Sequence, residues 1–303
     1  MALTLDFTGS HGPTMRLADW ELAFFTIPFS AKKIIASIFI FRKLLWNKQW
    51  RPLFLFIRGC TRFAMRLSPN LTNEEYAELL NGVIGFAPKA VEVVGQGIRV
   101  SVTSCEAIIL AQVIFQNQYS LTRKNALGRV FIDAGANVGI FSLYAASMGA
   151  KKVYAFEPVK ETFLQMKENI RMNGFKKTIM PVNMALGRKS GHGTISYSYS
   201  GDPCAHMISG KGVRNSHQVR IATIDGFMAG KGRTDFIKID SEGWEEKILL
   251  GAKATLKKYK PVLSFSAYHK PSDKQTLPAL VKSIRPGYSC VLHRKGEEDF
   301  YCE

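Results

Sequence analysis

The chain has 303 residues, 46% of them hydrophobic, with 41 Lys and Arg against 24 Asp and Glu, a formal net charge of +17. That length buries a substantial core and holds one large domain or a domain with an extension. Five cysteines at positions 60, 105, 204, 290 and 302 make no close pair, which favours reduced thiols in a cytoplasmic setting over a disulfide framework or a zinc site. The positive balance suits an anionic partner such as nucleic acid, phospholipid or sugar phosphate, and equally a solvated basic face.

The N-terminal stretch differs from the rest. Residues 1–70 hold ten Lys and Arg against three Asp and Glu, and residues 22–58 interleave Phe, Ile, Leu and Trp with Lys32, Lys33, Arg42, Lys43, Lys48, Arg51 and Arg58. Its apolar runs fall far short of the roughly 20 residues that span a bilayer. The first 15 residues lack a basic start followed by an apolar core, so no signal peptide is expected. Two readings stand for 22–58: a helical cap on the larger domain, or a basic amphipathic segment lying on an anionic membrane. Residues 1–88 are accordingly expected to be a basic, apolar-rich, mainly helical extension, and 89–303 a single α/β domain. Val91, Val93, Ile98, Val100 and Val102 alternate around Gly95-Gln96-Gly97 and predict a β-hairpin, and Ser104 caps a helix reaching about Phe115.

Residues 130–142, Val-Phe-Ile-Asp-Ala-Gly-Ala-Asn-Val-Gly-Ile-Phe-Ser, carry the most information. A short apolar strand ends on Asp133, and Gly135 and Gly139 turn the chain into an apolar helix over 139–148 that stops at Gly149. Such a turn brings bare backbone close to a ligand and aims helix N–H groups at it. Ala136 and Asn137 break the dinucleotide spacing, and an acid at the strand tip disfavours a pyrophosphate and suits a cationic or zwitterionic ligand. Residues 152–157 predict a second strand ending on Glu157, close to the spacing of an acid that holds ribose hydroxyls. Val159, Phe163, Met166 and Ile170 then recur at helical spacing up to Asn173-Gly174. A third strand over 179–183 contains Pro181 and so belongs at a sheet edge. Residues 188–220 predict a long polar loop, with Tyr197, Tyr199, His206 and Arg214 as contacts if it forms a flap. Residues 235–245 predict a fourth strand running into a helix, a fifth spans Pro261–Ala267 ahead of Tyr268-His269-Lys270, and 288–302 predicts a terminal hairpin around Lys295-Gly296-Glu297.

Four ordered motifs then come together: Asp-x-Gly-Ala-Asn-x-Gly at 133–139, Phe-Glu-Pro at 156–158, Ala-Leu-Gly at 185–187 and Ile-Lys-Ile-Asp-x-Glu-Gly at 237–243. Over about residues 90–303 the chain resembles the FkbM-type family of class I S-adenosylmethionine-dependent methyltransferases. The resemblance implies a Rossmann-like α/β fold with a mostly parallel sheet and an antiparallel terminal hairpin. It also implies S-adenosylmethionine as cofactor, held by Asp133, Gly135, Asn137, Gly139, Glu157 and Asn183.

Methyl transfer needs an aligned nucleophile and a destination for its proton, at the carboxyl ends of the strands. Asp240 and Glu242 end the fourth strand and His269 follows the fifth, so these three are the catalytic candidates, with His293 as a neighbour that joins them or only packs. The Asn-Pro-Pro-Tyr motif of many amino-group methyltransferases is absent, and the family transfers methyl groups mainly to hydroxyls. The expected reaction is O-methylation of a glycan, a lipid-linked sugar or a small natural product. No metal is assigned, although a carboxylate and imidazole set would also suit a divalent cation. Ser266-Ala267-Tyr268-His269 departs from the Glu-His that many members carry there, which leaves the base open. Three rivals remain: an RNA methyltransferase suggested by charge alone, a non-catalytic binding protein of the same fold, and a nicotinamide-dependent oxidoreductase. The expected location is cytoplasmic, with peripheral contact at an anionic membrane face.

Overall fold

The computed structural model describes residues 3–9, 12–17, 91–95, 98–102, 109, 111–115, 117–196, 206–208, 216–295 and 297–303. The chain divides into two compact units, Met1–Gln116 and Asn117–Glu303. In the first, β1 (Leu3–Gly9), β2 (Gly12–Leu17), β3 (Val91–Gly95) and β4 (Ile98–Val102) make one sheet in the order β2-β1-β3-β4. The β3–β4 pair is the hairpin that the alternation of valines predicts. Residues 3–9 and 12–17, inside the stretch expected to be mainly helical, pair as antiparallel strands, in keeping with the alternation of Leu3, Leu5 and Phe7 with Thr4 and Asp6. The apolar-basic segment 22–58 lies outside the described residues, as does Ser104. Ala111–Phe115 is a short helical turn of π type.

The second unit is built on a seven-stranded sheet. It contains β5 (Val130–Ala134), β6 (Lys152–Phe156), β7 (Ile179–Val182), β12 (Phe236–Ile239), β13 (Val262–Ser266), β14 (Cys290–Lys295) and β15 (Glu297–Cys302). Their order is β14-β15-β13-β12-β5-β6-β7, with the five strands from β13 to β7 parallel and β15 antiparallel to β13. Pro181 sits on the edge strand β7, where its missing N–H costs no ladder bond. Chain order reverses between β5 and β12, and ligands bind at such a switch point, outside the carboxyl ends of the strands.

Helices α1 (Arg123–Ala126), α2 (Ile140–Ser147), α3 (Lys160–Met172), α4 (Ile224–Met228), α5 (Glu245–Leu250), α6 (Lys253–Tyr259) and α7 (Asp273–Ile284) accompany the sheet. Strand β12 is buried along its whole length, as its unbroken Phe-Ile-Lys-Ile requires of a central parallel strand. Phe131 of β5 stacks on Phe236 of β12, with ring centroids 5.0 Å apart, and Phe141 of α2 closes the same cluster. Helix α3 buries Met166 and Ile170 and exposes its charged face. Among the described residues, no helix is long and apolar enough to cross a membrane.

Two expectations are corrected. The segment 188–220 is no structureless loop. Its strands β9 (Gly191–Ser196), β10 (His206–Ile208) and β11 (Ser216–Ala222) join β8 (Ala185–Leu186) in a second sheet of order β10-β9-β11-β8. Ile195 of β9 and Val219 of β11 pack with Val159 and Ala185, while the exposed Gln218 side chain donates to the Thr194 hydroxyl. The many exposed residues of β9 and β11 lowered the average hydrophobicity and hid the strands. Tyr197, Tyr199 and Arg214 lie outside the described residues, and His206 opens β10. The cysteines are not all reduced: Cys290 and Cys302 are register partners on β14 and β15 and form a disulfide. Twelve positions apart in sequence, they meet only through the hairpin.

Beyond β5 the chain passes so close to β12 that a Cβ at Gly135 would lie 1.8 Å from the Asp240 carbonyl oxygen, at a φ of +74°. Gly128 also has positive φ but nothing within 4 Å of its added Cβ. Gly128→Ala should therefore cost only the backbone penalty, about 1–2 kcal/mol. Gly135→Ala should cost distinctly more, read as a larger fall in the thermal unfolding midpoint. Equal falls for the two variants would contradict this close approach.

Candidate active site

The turn from β5 into α2 uses its own donors. Gly135 and Ala136 N–H groups bond the Phe156 carbonyl, Asn137 N–H bonds the Glu157 carboxylate at 3.0 Å, Val138 N–H bonds the Asn137 side chain, and Gly139 N–H bonds the Ala136 carbonyl. The N–H groups of residues 135–139 are thus all bonded within the protein. Asn137 itself has a φ of +50°, a conformation that Asn tolerates better than most residues. Asn169 of α3 supports the turn from behind by donating to the Val138 carbonyl at 2.9 Å.

Asp133 is fully buried. Ser142 donates to it at 2.7 Å, and the Lys238 ammonium stands 3.1 Å away. Lys238 is the register partner of Asp133 across β12 and β5, and it also donates to the Gly135 carbonyl at 2.6 Å and lies 5.4 Å from the centre of the Tyr119 ring. The negative charge of Asp133 is therefore answered inside the protein, and its lysine partner holds the loop.

Glu157, at the tip of β6, keeps a small exposed fraction and accepts N–H groups from Asn137 and Val159. Burial pushes its pKa up to about 7, and those two N–H bonds and the Lys238 charge only partly oppose the rise. Asn183 does not point its amide nitrogen outward: it donates to the carbonyls of Glu157 and Pro158 and so fixes the acid in place.

Across the switch point, Asp240 follows β12. Tyr119 donates to its Oδ2 at 2.8 Å and Ser266 of β13 to its Oδ1 at 2.9 Å, with the Tyr268 hydroxyl at 3.4 Å. Burial works to raise the Asp240 pKa, but Lys238, His269 and these hydroxyl donors together hold it below the usual carboxylate range. Burial and the adjacent Asp240 charge raise Tyr119 well above an ordinary phenol, so it stays a donor.

His269 completes the group. Its Nδ1 lies 3.1 Å from Glu245, and its Nε2 lies 3.3 Å from Glu242 and 3.8 Å from Asp240. Burial opposes its charge, yet the surrounding carboxylates prevail and raise its pKa to about 10. Asp240, Glu242 and His269 thus meet at one place. Glu245 is the member that sequence reading missed. It is buried at the first turn of α5 and accepts N–H bonds from Ser241 and Gly243. Glu242 reaches His269 from a left-handed backbone, φ +51°, in the turn between β12 and α5. Tyr119 and Ser266 were missed as well, and only the Ile-Lys-Ile pattern, with a lysine inside a buried strand, signalled Lys238 in advance. His293 has its Nδ1 3.0 Å from the Ser120 hydroxyl and its ring stacked on Tyr301.

The sheet order is that of a Rossmann-like, class I methyltransferase fold. Residues 133–288 match the model of the methyltransferase FkbM domain, and the chain belongs to that family. Among solved structures it is similar to a methyltransferase FkbM from Methylobacillus flagellatus KT, with 19% identity over 66% of this chain and 54% of that one, TM-score 0.47. This chain therefore spans about half the length of that relative. A METTL16 methyltransferase domain matches at 13% identity over 76% of this chain and 79% of that one, TM-score 0.45. A precorrin-6y C5,15-methyltransferase from Geobacter metallireducens GS-15 matches at 12% over 63% and 84%, TM-score 0.39. No curated protein matches the chain.

Lys238→Met would keep the bulk of the side chain and leave the Asp133 carboxylate buried without its cation, at an expected cost of about 3–5 kcal/mol in denaturant unfolding. Adding Asp133→Asn to that variant should restore part of the loss. A single variant as stable as the parent would show that the pair does not hold the two strands.

Proposed function

We propose that the chain is an S-adenosylmethionine-dependent methyltransferase that methylates a hydroxyl on a glycan, a glycolipid or a small natural product. The observation that carries this reading is the Asp240 carboxylate, part-exposed and held by Tyr119 and Ser266, directly across the switch point from the glycine turn and Glu157. The residues fit the cofactor. Gly135 leaves the turn without a side chain, and Glu157 is a buried acid retained at the second strand tip, the position that suits ribose hydroxyls. In this reading Asp133, Lys238, Asn169 and Asn183 support the loop, while Gly135, Asn137, Gly139 and Glu157 face the cofactor. When bound, S-adenosylmethionine supplies a methyl group on a sulfonium for in-line displacement.

Asp240 accepts the hydrogen bond of the acceptor hydroxyl and so aims one oxygen lone pair at the methyl carbon. As the new O–C bond forms, the acceptor oxygen becomes strongly acidic, and even a carboxylate of depressed pKa takes its proton. His269 holds its own proton near neutral pH and stabilises the Asp240 charge rather than acting as a free base.

Purified full-length chain, incubated with S-adenosylmethionine and cell extract, should add the mass of one methylene to a hydroxylated metabolite, read by mass spectrometry. Asp240→Asn should lower turnover by roughly 10²–10⁴-fold while cofactor binding by calorimetry persists. Methylation of RNA instead would overturn the acceptor class, and full activity of Asp240→Asn would overturn its role.

The elevated Glu157 pKa carries a sign that can be checked. The folded chain keeps a proton there, up to about pH 7, that the unfolded chain has already lost. Its contribution to stability is therefore fully present below the ordinary carboxylate range and is lost as pH rises towards 7. Cofactor affinity should move the other way, rising from pH 6 to pH 8 as the carboxylate ionises to accept ribose hydroxyls. Glu157→Gln should flatten both dependences, measured by thermal melts and calorimetry across that range.

A further inference from the structure

We propose that Asp240, Glu245 and His269 form a binding site for a divalent first-row transition cation beside the place assigned to the acceptor hydroxyl. The inference rests on the active-site reading above and goes beyond it. Each of the three side chains offers one ligand atom, and these atoms all lie within 4.8 Å of one another. Two ligands on one ion at about 2.1 Å each stand roughly 3–4.2 Å apart, so only a small contraction is needed.

A second observation is independent of the carboxylates. The His269 side chain is 92% buried, its exposure being 8%, and neither ring nitrogen makes a hydrogen bond. Carboxylate oxygens of Glu245 and Glu242 stand 3.1 and 3.3 Å away, but off the directions in which ring N–H groups would point. Those in-plane directions are also the ones along which an imidazole lone pair meets a metal. The imidazole faces this acidic cluster, which holds a proton on the ring, and a bound divalent cation would take the place of that proton.

The local charge agrees. Asp240, Glu242 and Glu245 surround one imidazole, and among the described residues no lysine or arginine pairs with Asp240 or Glu245. The nearby Lys270 ammonium is directed at the Gly243 carbonyl instead. The donor set selects the metal class. An imidazole with two carboxylates suits Mn²⁺, Fe²⁺ or Zn²⁺, whereas Mg²⁺ and Ca²⁺ favour oxygen alone.

The test uses full-length native chain and MnCl₂. Electron paramagnetic resonance should show one equivalent of Mn²⁺ leaving the free pool, with spin-echo modulation from a coupled nitrogen. His269→Gln and Glu245→Gln should each weaken binding at least tenfold, and Glu246→Gln, on the exposed side of α5, should not. Absence of Mn²⁺ binding at millimolar concentration, or of nitrogen coupling in the native chain, would overturn the site, and neither measurement depends on a variant that folds. Unchanged affinity in both His269→Gln and Glu245→Gln would overturn it too. Calorimetry with S-adenosylmethionine on the same samples separates the two ideas: cofactor binding without Mn²⁺ binding refutes only the cation site, and Mn²⁺ binding without cofactor binding refutes only the methyltransferase reading.

Discussion

The buried ion pair between Lys238 and Asp133 is the contact on which the rest of the site depends. It joins the two central strands at the point where chain order reverses, and the same ammonium holds the Gly135 carbonyl of the turn. In a region this dry, each charge is tolerable only in the presence of the other. The pair therefore sets the register of β5 against β12 and the position of the turn in one step. The ammonium also lies near enough to Asp240 to help keep that carboxylate ionised. The glycine turn and Asp240 are thus coupled through a single buried cation.

Around Asp240 and His269 the same physics has a different result. Three carboxylates converge on one imidazole, so negative charge exceeds positive within the cluster. Tyr119 and Ser266 stabilise part of it by donating hydroxyl hydrogens to Asp240. The remaining excess favours a positive guest such as the proton on His269. A left-handed Glu242 and the buried Glu245 within three residues of it show that the chain accepts backbone strain and buried charge to bring these groups together.

Much of the fold was legible because parallel strands and their crossover helices announce themselves locally. Phe236-Ile237-Lys238-Ile239 reads as a buried strand, and Val159, Met166 and Ile170 read as one helix face, with no knowledge of their neighbours. The second sheet was not legible, since β9 buries only Ile195 and β11 only Val219 and Ala222, and both average out as polar. The Cys290–Cys302 disulfide escaped for a related reason: pairing across a hairpin depends on register, and register is a property of two strands. The partners of Asp133 and Asn183 were not legible either: Lys238 stands beside the carboxylate, and the Glu157 and Pro158 carbonyls accept from the Asn183 amide.

Taken by itself, the sequence determined the family and where the parallel strands and their crossover helices lie along the chain, because motif spacing and hydrophobic period are written along one dimension. Only the tertiary structure decided which side chains share a volume. Tyr119 reaches Asp240 across 121 positions, Ser266 across 26, and Lys238 reaches Gly135 across 103. Hydrogen bonds and charge pairs of this kind act over a few ångströms whatever the separation along the chain. No local pattern announces them, and the packed sheet alone makes them neighbours.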